Sequence, residues 1–274
     1  MSVFFVSFIF YSCEKSENEI EINQPKEFLG SKFTNESDDI INHPSDIYIQ
    51  NGKIFLSERE ISNVQVFDLD FNHLNTFGEY GEGPDNYYYL GSMGAAGDGK
   101  FFLQDIGHQR IQIMSTDSQE LLNEFTVSNS LHSKNLAIKG KKAYYIIPEI
   151  TPRVMIYDIE LDSYEEKELS SYTSITPITS PLRQIGNILS LEDEFIFVRT
   201  SEPVIDLFDE NFNKIDSIDL SSLNLFSKQI AKGDSLYKKG ASNMVIHLIS
   251  DAYVADRSLY IKTASLITSW RSFH

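Results

Sequence analysis

Short runs of apolar, β-branched and aromatic residues alternate with polar connections along this chain, and the runs recur in pairs. Ile54-Phe-Leu-Ser-Glu is followed ten positions on by Val64-Gln-Val-Phe-Asp, and Phe101-Phe-Leu-Gln-Asp by Ile111-Gln-Ile-Met-Ser. At the same offset Tyr144-Tyr-Ile-Ile-Pro precedes Val154-Met-Ile-Tyr-Asp, and Phe195-Ile-Phe-Val-Arg precedes Ile205-Asp-Leu-Phe-Asp. β-rich pentamers on either side of a short polar connection predict antiparallel hairpins. Each second strand runs into a polar turn: Asp68-Leu-Asp-Phe-Asn, Ser115-Thr-Asp-Ser-Gln, Asp158-Ile-Glu-Leu-Asp or Asp209-Glu-Asn-Phe-Asn. Asp and Asn suit such turns because their side chains bond the following backbone and tolerate left-handed conformations. Another strand is expected after the turn, as in Leu74-Asn-Thr-Phe, Asn123-Glu-Phe-Thr-Val and Lys214-Ile-Asp-Ser-Ile, and a further one ahead of each hairpin, as in Asp46-Ile-Tyr-Ile and Asn187-Ile-Leu-Ser-Leu. That makes four strands per unit.

The hairpins start at Ile54, Phe101, Tyr144, Phe195 and Leu259, at intervals of 47, 43, 51 and 64 residues. A four-stranded propeller blade occupies about 40 to 50 residues. The excess in the last interval falls between Leu220 and Val245, where residues 223–232 can form a short helix before Gly233. Runs such as Phe195-Ile-Phe-Val are apolar at successive positions, as expected of strands covered on both faces. The pattern therefore predicts an all-β protein, a β-propeller of four-stranded antiparallel blades, with four full blades and part of a fifth. Edge strands should alternate. An open meander or a pair of stacked sandwiches is the alternative.

The first twelve residues, Met1 to Ser12, are uncharged and mostly apolar, and Glu14, Lys15, Glu17 and Glu19 follow soon after. An apolar run of about ten residues is too short to span a bilayer, which needs about 20, and has the length of a signal-peptide core. Ser12-Cys13 resembles the lipobox of bacterial lipoproteins, in which the cysteine is acylated and becomes the mature N-terminus. Its acidic sequel resembles the surface-export signals of Bacteroides-type lipoproteins. Two features depart from that pattern: no Lys or Arg precedes the apolar run, and Phe10 and Tyr11 are bulky. A buried N-terminal strand is the alternative. The expected organisation is a signal peptide at 1–12, an acidic tether at 13–25 and a propeller domain at 26–274.

The strand order Pro44-Ser-Asp-Ile-Tyr-Ile, Ile54-Phe-Leu-Ser-Glu, Asn63-Val-Gln-Val-Phe-Asp and Leu74-Asn-Thr-Phe-Gly, followed by Gly78-Glu-Tyr-Gly-Glu-Gly-Pro, resembles that of NHL-type propellers. Asp105, His108, Arg110 and Ile111 are similar to that family's Asp, Asn, Arg, Ile pattern, with His in place of Asn. Together with the lipobox, the chain resembles the TolB-like six-bladed propeller lipoproteins of Bacteroides-type bacteria. The resemblance covers about residues 40 to 263. It implies six blades, whereas only four full units and a partial fifth can be laid out, the last giving way to Ser269-Trp-Arg-Ser-Phe-His. A truncated or frameshifted reading frame is the expectation drawn from that shortfall.

With a net charge of -17, the chain should repel phosphate backbones and anionic lipid headgroups, so nucleic acid is not an expected partner. Membrane association is expected through the lipid anchor at Cys13 only. A single cysteine allows no intramolecular disulfide and no Cys-based metal cluster. No nucleophile elbow, phosphate loop or dinucleotide fingerprint is present, and Gly78-Glu-Tyr-Gly-Glu-Gly-Pro joins strands rather than opening a helix. Propeller enzymes that resemble this fold gather His, Asp and Glu at the starts of their innermost strands, where this chain offers His43, Asp46, Asn135, Asn187 and Asp251. Of these, His43 and Asp46 are candidates to hold a divalent cation such as Ca²⁺; otherwise no cofactor is expected. Asp105, His108 and Arg110 read either as a turn with its ion pair or as a ligand-facing cluster. Tyr87 and Tyr88 read as packing between blades or as rings that stack on sugars. The expected protein is a monomeric, lipid-anchored propeller at the outer membrane or cell surface, with the periplasmic side as the alternative. It would bind or scaffold a protein or glycan partner. The rival is a propeller hydrolase or lyase with a channel metal.

Overall fold

The computed structural model describes residues 5–7, 21–23, 44–59, 61–127, 136–147, 153–169, 186–191, 194–224, 226–228, 230–231, 248–255 and 258–263. Near the start of the chain β1 (Phe5–Ser7) pairs antiparallel with β2 (Glu21–Asn23). Cys13, the proposed lipid attachment point, lies outside the described residues, as does most of the expected signal and tether.

Four four-stranded antiparallel sheets follow, each with its strands in sequence order. The first is β3 (Pro44–Gln50), β4 (Lys53–Glu58), β5 (Asn63–Asp68) and β6 (His73–Phe77). The second is β9 (Leu90–Ala95), β10 (Lys100–Asp105), β11 (Arg110–Ser115) and β12 (Leu121–Thr126). Between these two blades the glycine-rich link forms a small parallel pair, β7 (Glu79–Tyr80) with β8 (Asn86–Tyr87). The third sheet is β13 (Leu136–Lys139), β14 (Lys142–Ile147), β15 (Arg153–Asp158) and β16 (Ser163–Glu168). The fourth is β17 (Gly186–Leu191), β18 (Glu194–Arg199), β19 (Val204–Asp209) and β20 (Lys214–Asp219). Such meandering four-stranded blades define a β-propeller. A two-stranded hairpin, β21 (Ile249–Ala255) with β22 (Ser258–Thr263), stands where the partial fifth unit was expected; it does not amount to a blade. Residues 224, 226–228, 230 and 231 are helical, inside the expected insertion.

The chain divides into two compact units, one of residues 29–145 and 156–165, the other of 1–28, 146–155 and 166–274. In the first, Phe55, Val64, Val66, Phe101 and Leu103 form the core with Tyr87 of the link. The rings of Phe55 and Phe101 lie 4.7 Å apart, and those of Tyr48 and Phe101 6.0 Å apart. In the second, Ile196, Val198, Ile205, Leu220 and Phe226 pack with the last hairpin's Ile249, Leu259 and Ile261. The middle strands are buried on both faces, β10 and β18 with apolar residues at successive positions and β11 and β19 with one polar residue inside the run.

The outermost strands differ from expectation. β6, β12, β16 and β20 do not alternate; they are exposed along most of their length on both faces. They form the free edge of each sheet, beyond the apolar layers that cover the middle strands. The first blade departs in a second way. Asp46 and Tyr48 face the second blade, which leaves Ile47 55% and Ile49 58% exposed, while Met93 and Ile188, at the register position of Ile47, are buried.

The polar turns are built as the side-chain chemistry dictates. Asp68 Oδ1 accepts the backbone N–H of Asp70 (2.9 Å) and Asn72 (2.8 Å), and its Oδ2 accepts from Asn72 Nδ2 (2.8 Å). Asp209 makes the same three bonds with Asn211 and Asn213. Those donors, the Asn213 side chain foremost, hold the Asp209 carboxyl below the usual carboxylate value. Its stabilising effect is therefore present above that value and is lost as the pH falls through the depressed one. Each turn places a phenylalanine in the left-handed region, Phe71 at φ 63° and Phe212 at φ 56°. That conformation costs a residue with a Cβ about 1–2 kcal/mol. At Phe212 burial offsets the cost: the ring is 3% exposed and lies 4.6 Å from Phe195. Phe71 is 50% exposed and gains far less. Phe71→Gly should accordingly leave the urea midpoint unchanged or raised. Phe212→Gly should lower stability by about 2 kcal/mol or more, the loss of a buried ring exceeding the strain relieved. Equal effects of the two substitutions would refute this account.

Candidate functional site

The second blade brings three of the expected site residues together. Asp105 ends β10 and Arg110 begins β11, and the two are register partners across a four-residue turn closed by Gln109 at φ 54°. The Asp105 side chain is fully buried and accepts four hydrogen bonds. Oδ1 takes the backbone N–H of Tyr89 (3.3 Å) and of His108 (3.3 Å). Oδ2 takes Arg110 Nε (3.2 Å) and faces His108 Nδ1 at 2.5 Å. With a carboxylate opposite, Nδ1 is the donor of this pair. Arg110 extends the network, donating through Nη1 to Glu124 Oε2 (3.2 Å) and through Nη2 to the carbonyl of Asn86. Gln112 Nε2 donates to the same Glu124 oxygen (2.7 Å) and to the carbonyl of Pro84 (3.0 Å). The charged groups thus clamp the glycine-rich link onto the second blade, which is the turn-and-ion-pair reading of this trio.

The three consecutive tyrosines have three separate environments. Tyr87 is buried in the core under the Arg110 guanidinium, 5.6 Å from its ring centroid, and burial foremost pushes its hydroxyl well above the ordinary value. Gly78 (φ +79°) is required at the head of the link, because a Cβ there would lie 2.3 Å from Cε2 of Tyr87. Tyr88 stacks on His108, ring centroids 4.3 Å apart at 20°, and donates its hydroxyl to Glu82 Oε1 (2.6 Å). That bond, ahead of desolvation and the nearby charge, pushes the Tyr88 hydroxyl up to about 12. Tyr89 lies beneath the guanidinium of Arg59, 4.7 Å away. Tyr80, which the sequence pattern did not single out, adds a third ring beside this stacked pair, 5.3 Å from Tyr88 and tilted 48° to it, and is 66% exposed.

Of the candidates for a cation, the side chains of Asp46 and Asn187 are described. Asp46 Oδ2 accepts the backbone N–H of Met93 (2.8 Å), tying the first blade to the second, while its Oδ1 accepts the N–H of Ile47 (3.0 Å). Asn187 is buried in β17. His43 and Asn135 lie outside the described residues, and the side chain of Asp251 is likewise not described. Among the described residues no three His, Cys, Asp or Glu side chains converge on a point that could hold a metal ion.

A second buried charge cluster escaped the sequence reading. In the fourth blade Arg199 donates through Nε to Asp206 Oδ2 (2.8 Å) and through Nη1 to Glu202 Oε2 (2.6 Å). Asp206 Oδ1 accepts from Lys214 Nζ and Ser217 Oγ, both at 2.8 Å. The signal available was a polar residue inside an apolar run: Asp206 occupies the third position of β19, as Gln112 does in β11 and Gln65 in β5.

The fold class is a β-propeller. No family model matches the sequence, and no curated protein is similar to it. Among solved structures, one similar protein is a candidate exported protein from Bacteroides fragilis, with 16% sequence identity and a TM-score of 0.55, covering 84% of this chain and 70% of that one. Virginiamycin B lyase from Staphylococcus aureus aligns at 12% identity and a TM-score of 0.45 over 66% of this chain and 57% of the enzyme. A β-propeller domain from Myceliophteria thermophila aligns at 11% identity and a TM-score of 0.45 over 66% of this chain and 56% of that one. These likenesses concern the fold alone. No helix among the described residues is long and apolar enough to cross a membrane.

Two measurements test this geometry. Asp105→Ala leaves Arg110 and His108 without their shared buried acceptor and should cost about 3 kcal/mol in denaturant unfolding; a loss under about 1 kcal/mol would show the clamp to be dispensable. In ultraviolet titration Tyr88 should ionise near pH 12, as should Tyr48 and Tyr157, and Tyr88→Phe should diminish that component without abolishing it. Because the folded protein favours the protonated phenol, this contribution to stability holds below about pH 10, the ordinary tyrosine value, and fades as the pH rises towards 12.

Proposed function

We propose that this β-propeller is an exported, lipid-anchored binding or scaffolding module for a protein or glycan partner, held at the outer membrane or cell surface through Cys13. The observation that carries the binding reading is the ring cluster His108, Tyr88, Tyr80, whose terminal ring is two-thirds exposed and whose innermost ring is held by the buried Asp105. Rings already fixed in place lose little conformational freedom when a partner lies on them, and tyrosine offers a flat apolar face with a polar tip. The Asp105, His108 and Arg110 groups make the inner end of that cluster rigid rather than reactive. The lipid-anchor reading rests on Ser12-Cys13 and its acidic sequel. The rival reading, a hydrolase or lyase with a channel metal, gains no support from Asp46, whose two carboxylate oxygens both accept backbone N–H groups.

Expression of the full chain in a lipoprotein-processing bacterium should place it in the membrane fraction with an acylated cysteine, and Cys13→Ala should release it. On an array of glycans and peptides, retention should fall on Tyr80→Ala and Tyr88→Ala while thermal unfolding stays within a few degrees. A purified protein that holds a divalent metal and a hydrolytic activity, both abolished by Asp46→Ala, would replace this reading with the enzymatic one.

A further inference from the structure

The segment that carries Tyr80 and Tyr88 is one-sided in charge. Between Arg59 and Lys100 the sequence contains no Lys or Arg, and residues 61–99 carry six acids, Asp68, Asp70, Glu79, Glu82, Asp85 and Asp98. Three of these, Glu79, Glu82 and Asp85, belong to the link that carries Tyr80, and all three are exposed. Glu82 is fixed beside the stack by the Tyr88 hydroxyl. A tyrosine face carries negative quadrupole charge and attracts a cation, the more so when carboxylates lie at its edge. The same segment already shows the chemistry internally, since Arg59 lies over Tyr89 and Arg110 over Tyr87.

Resting on the binding reading above, we infer that the partner recognised at Tyr80 is cationic: a basic peptide segment of another protein, engaged through an arginine side chain over the Tyr80 ring with Glu82 alongside. Arginine suits this place better than lysine, because its planar guanidinium stacks on the ring while its edge donates to carboxylates. A neutral sugar would use the ring and leave the acids idle. An anionic partner would be repelled by them.

The test uses the full chain and a fluorescein-labelled peptide of alternating Arg and Gly, read by fluorescence anisotropy, with a matched Glu-Gly peptide and a neutral chito-oligosaccharide as comparators. The Arg peptide should bind, more weakly as ionic strength rises, and the Glu peptide should not. Tyr80→Ala should weaken binding about three- to fivefold, the worth of an exposed cation–π contact. Glu82→Gln, which keeps an acceptor for Tyr88, should weaken it by a similar factor. Asp117→Asn, which removes an exposed acid from the turn between β11 and β12 with no ring stack beside it, should leave it unchanged. If Asp117→Asn and Glu82→Gln weaken binding equally and Tyr80→Ala has no effect, attraction is by bulk charge and the inference falls. If the oligosaccharide binds and depends on Tyr80 while the Arg peptide does not bind, the cationic assignment falls and the binding reading stands. If neither probe binds, both are overturned.

Discussion

A four-stranded sheet with apolar residues at successive positions has two faces to remove from water, and every other feature of this chain answers that demand. The middle strands of each blade satisfy it by close packing of aromatic and branched side chains, as Phe55 does against Phe101. Burial on both faces also strips water from any polar atom placed there. Such atoms are stabilised where hydrogen bonds replace the lost solvent, although Gln65 Oε1, Gln112 Oε1 and Asn187 Nδ2 are buried without a protein partner. Asp105 meets that condition with four donors and Asp206 with Arg199, Lys214 and Ser217.

One residue type carries out three tasks that depend on the same property, a short side chain with two acceptor oxygens. In Asp68 and Asp209 it reverses the chain by holding the N–H groups of the following residues. At Asp46 it fastens one blade's first strand to the next blade's backbone. In Asp105 it fixes a histidine and an arginine so that the link between blades cannot drift. The Tyr88 ring inherits its position from that last task through its stack on His108, which puts a structural ion pair beneath the proposed recognition surface.

The blades were legible in the sequence because period and burial coincide: hairpins ten residues apart, with Asp or Asn after each second strand, are a local pattern that survives folding. The Asp105, His108 and Arg110 trio was legible as a group, since its members fall within one turn, but the four donors that converge on Asp105 became visible only in the structure. Tyr80 and Glu82 were not picked out. Their importance comes from a parallel pairing of Glu79–Tyr80 with Asn86–Tyr87 that folds the link back on itself, and spacing alone does not announce such a pairing. The outermost strands misled for a related reason. Alternation requires one covered face, and these strands have none.

Those outermost strands have a consequence for how copies of the protein meet. β6, β12, β16 and β20 each end a sheet, so each presents a row of peptide groups to any extended chain that comes alongside. β16 carries Glu165, Glu166, Lys167 and Glu168 in succession, β12 carries Glu124, and β20 carries Lys214, Asp216 and Asp219. To add a strand there, a neighbour must bring charged side chains into register with these and strip their water. The acidic edges of β16 and β20, on a chain of net charge -17, make that approach repulsive between like molecules. Their charges thus act as a kinetic guard against edge-to-edge pairing of these two blades.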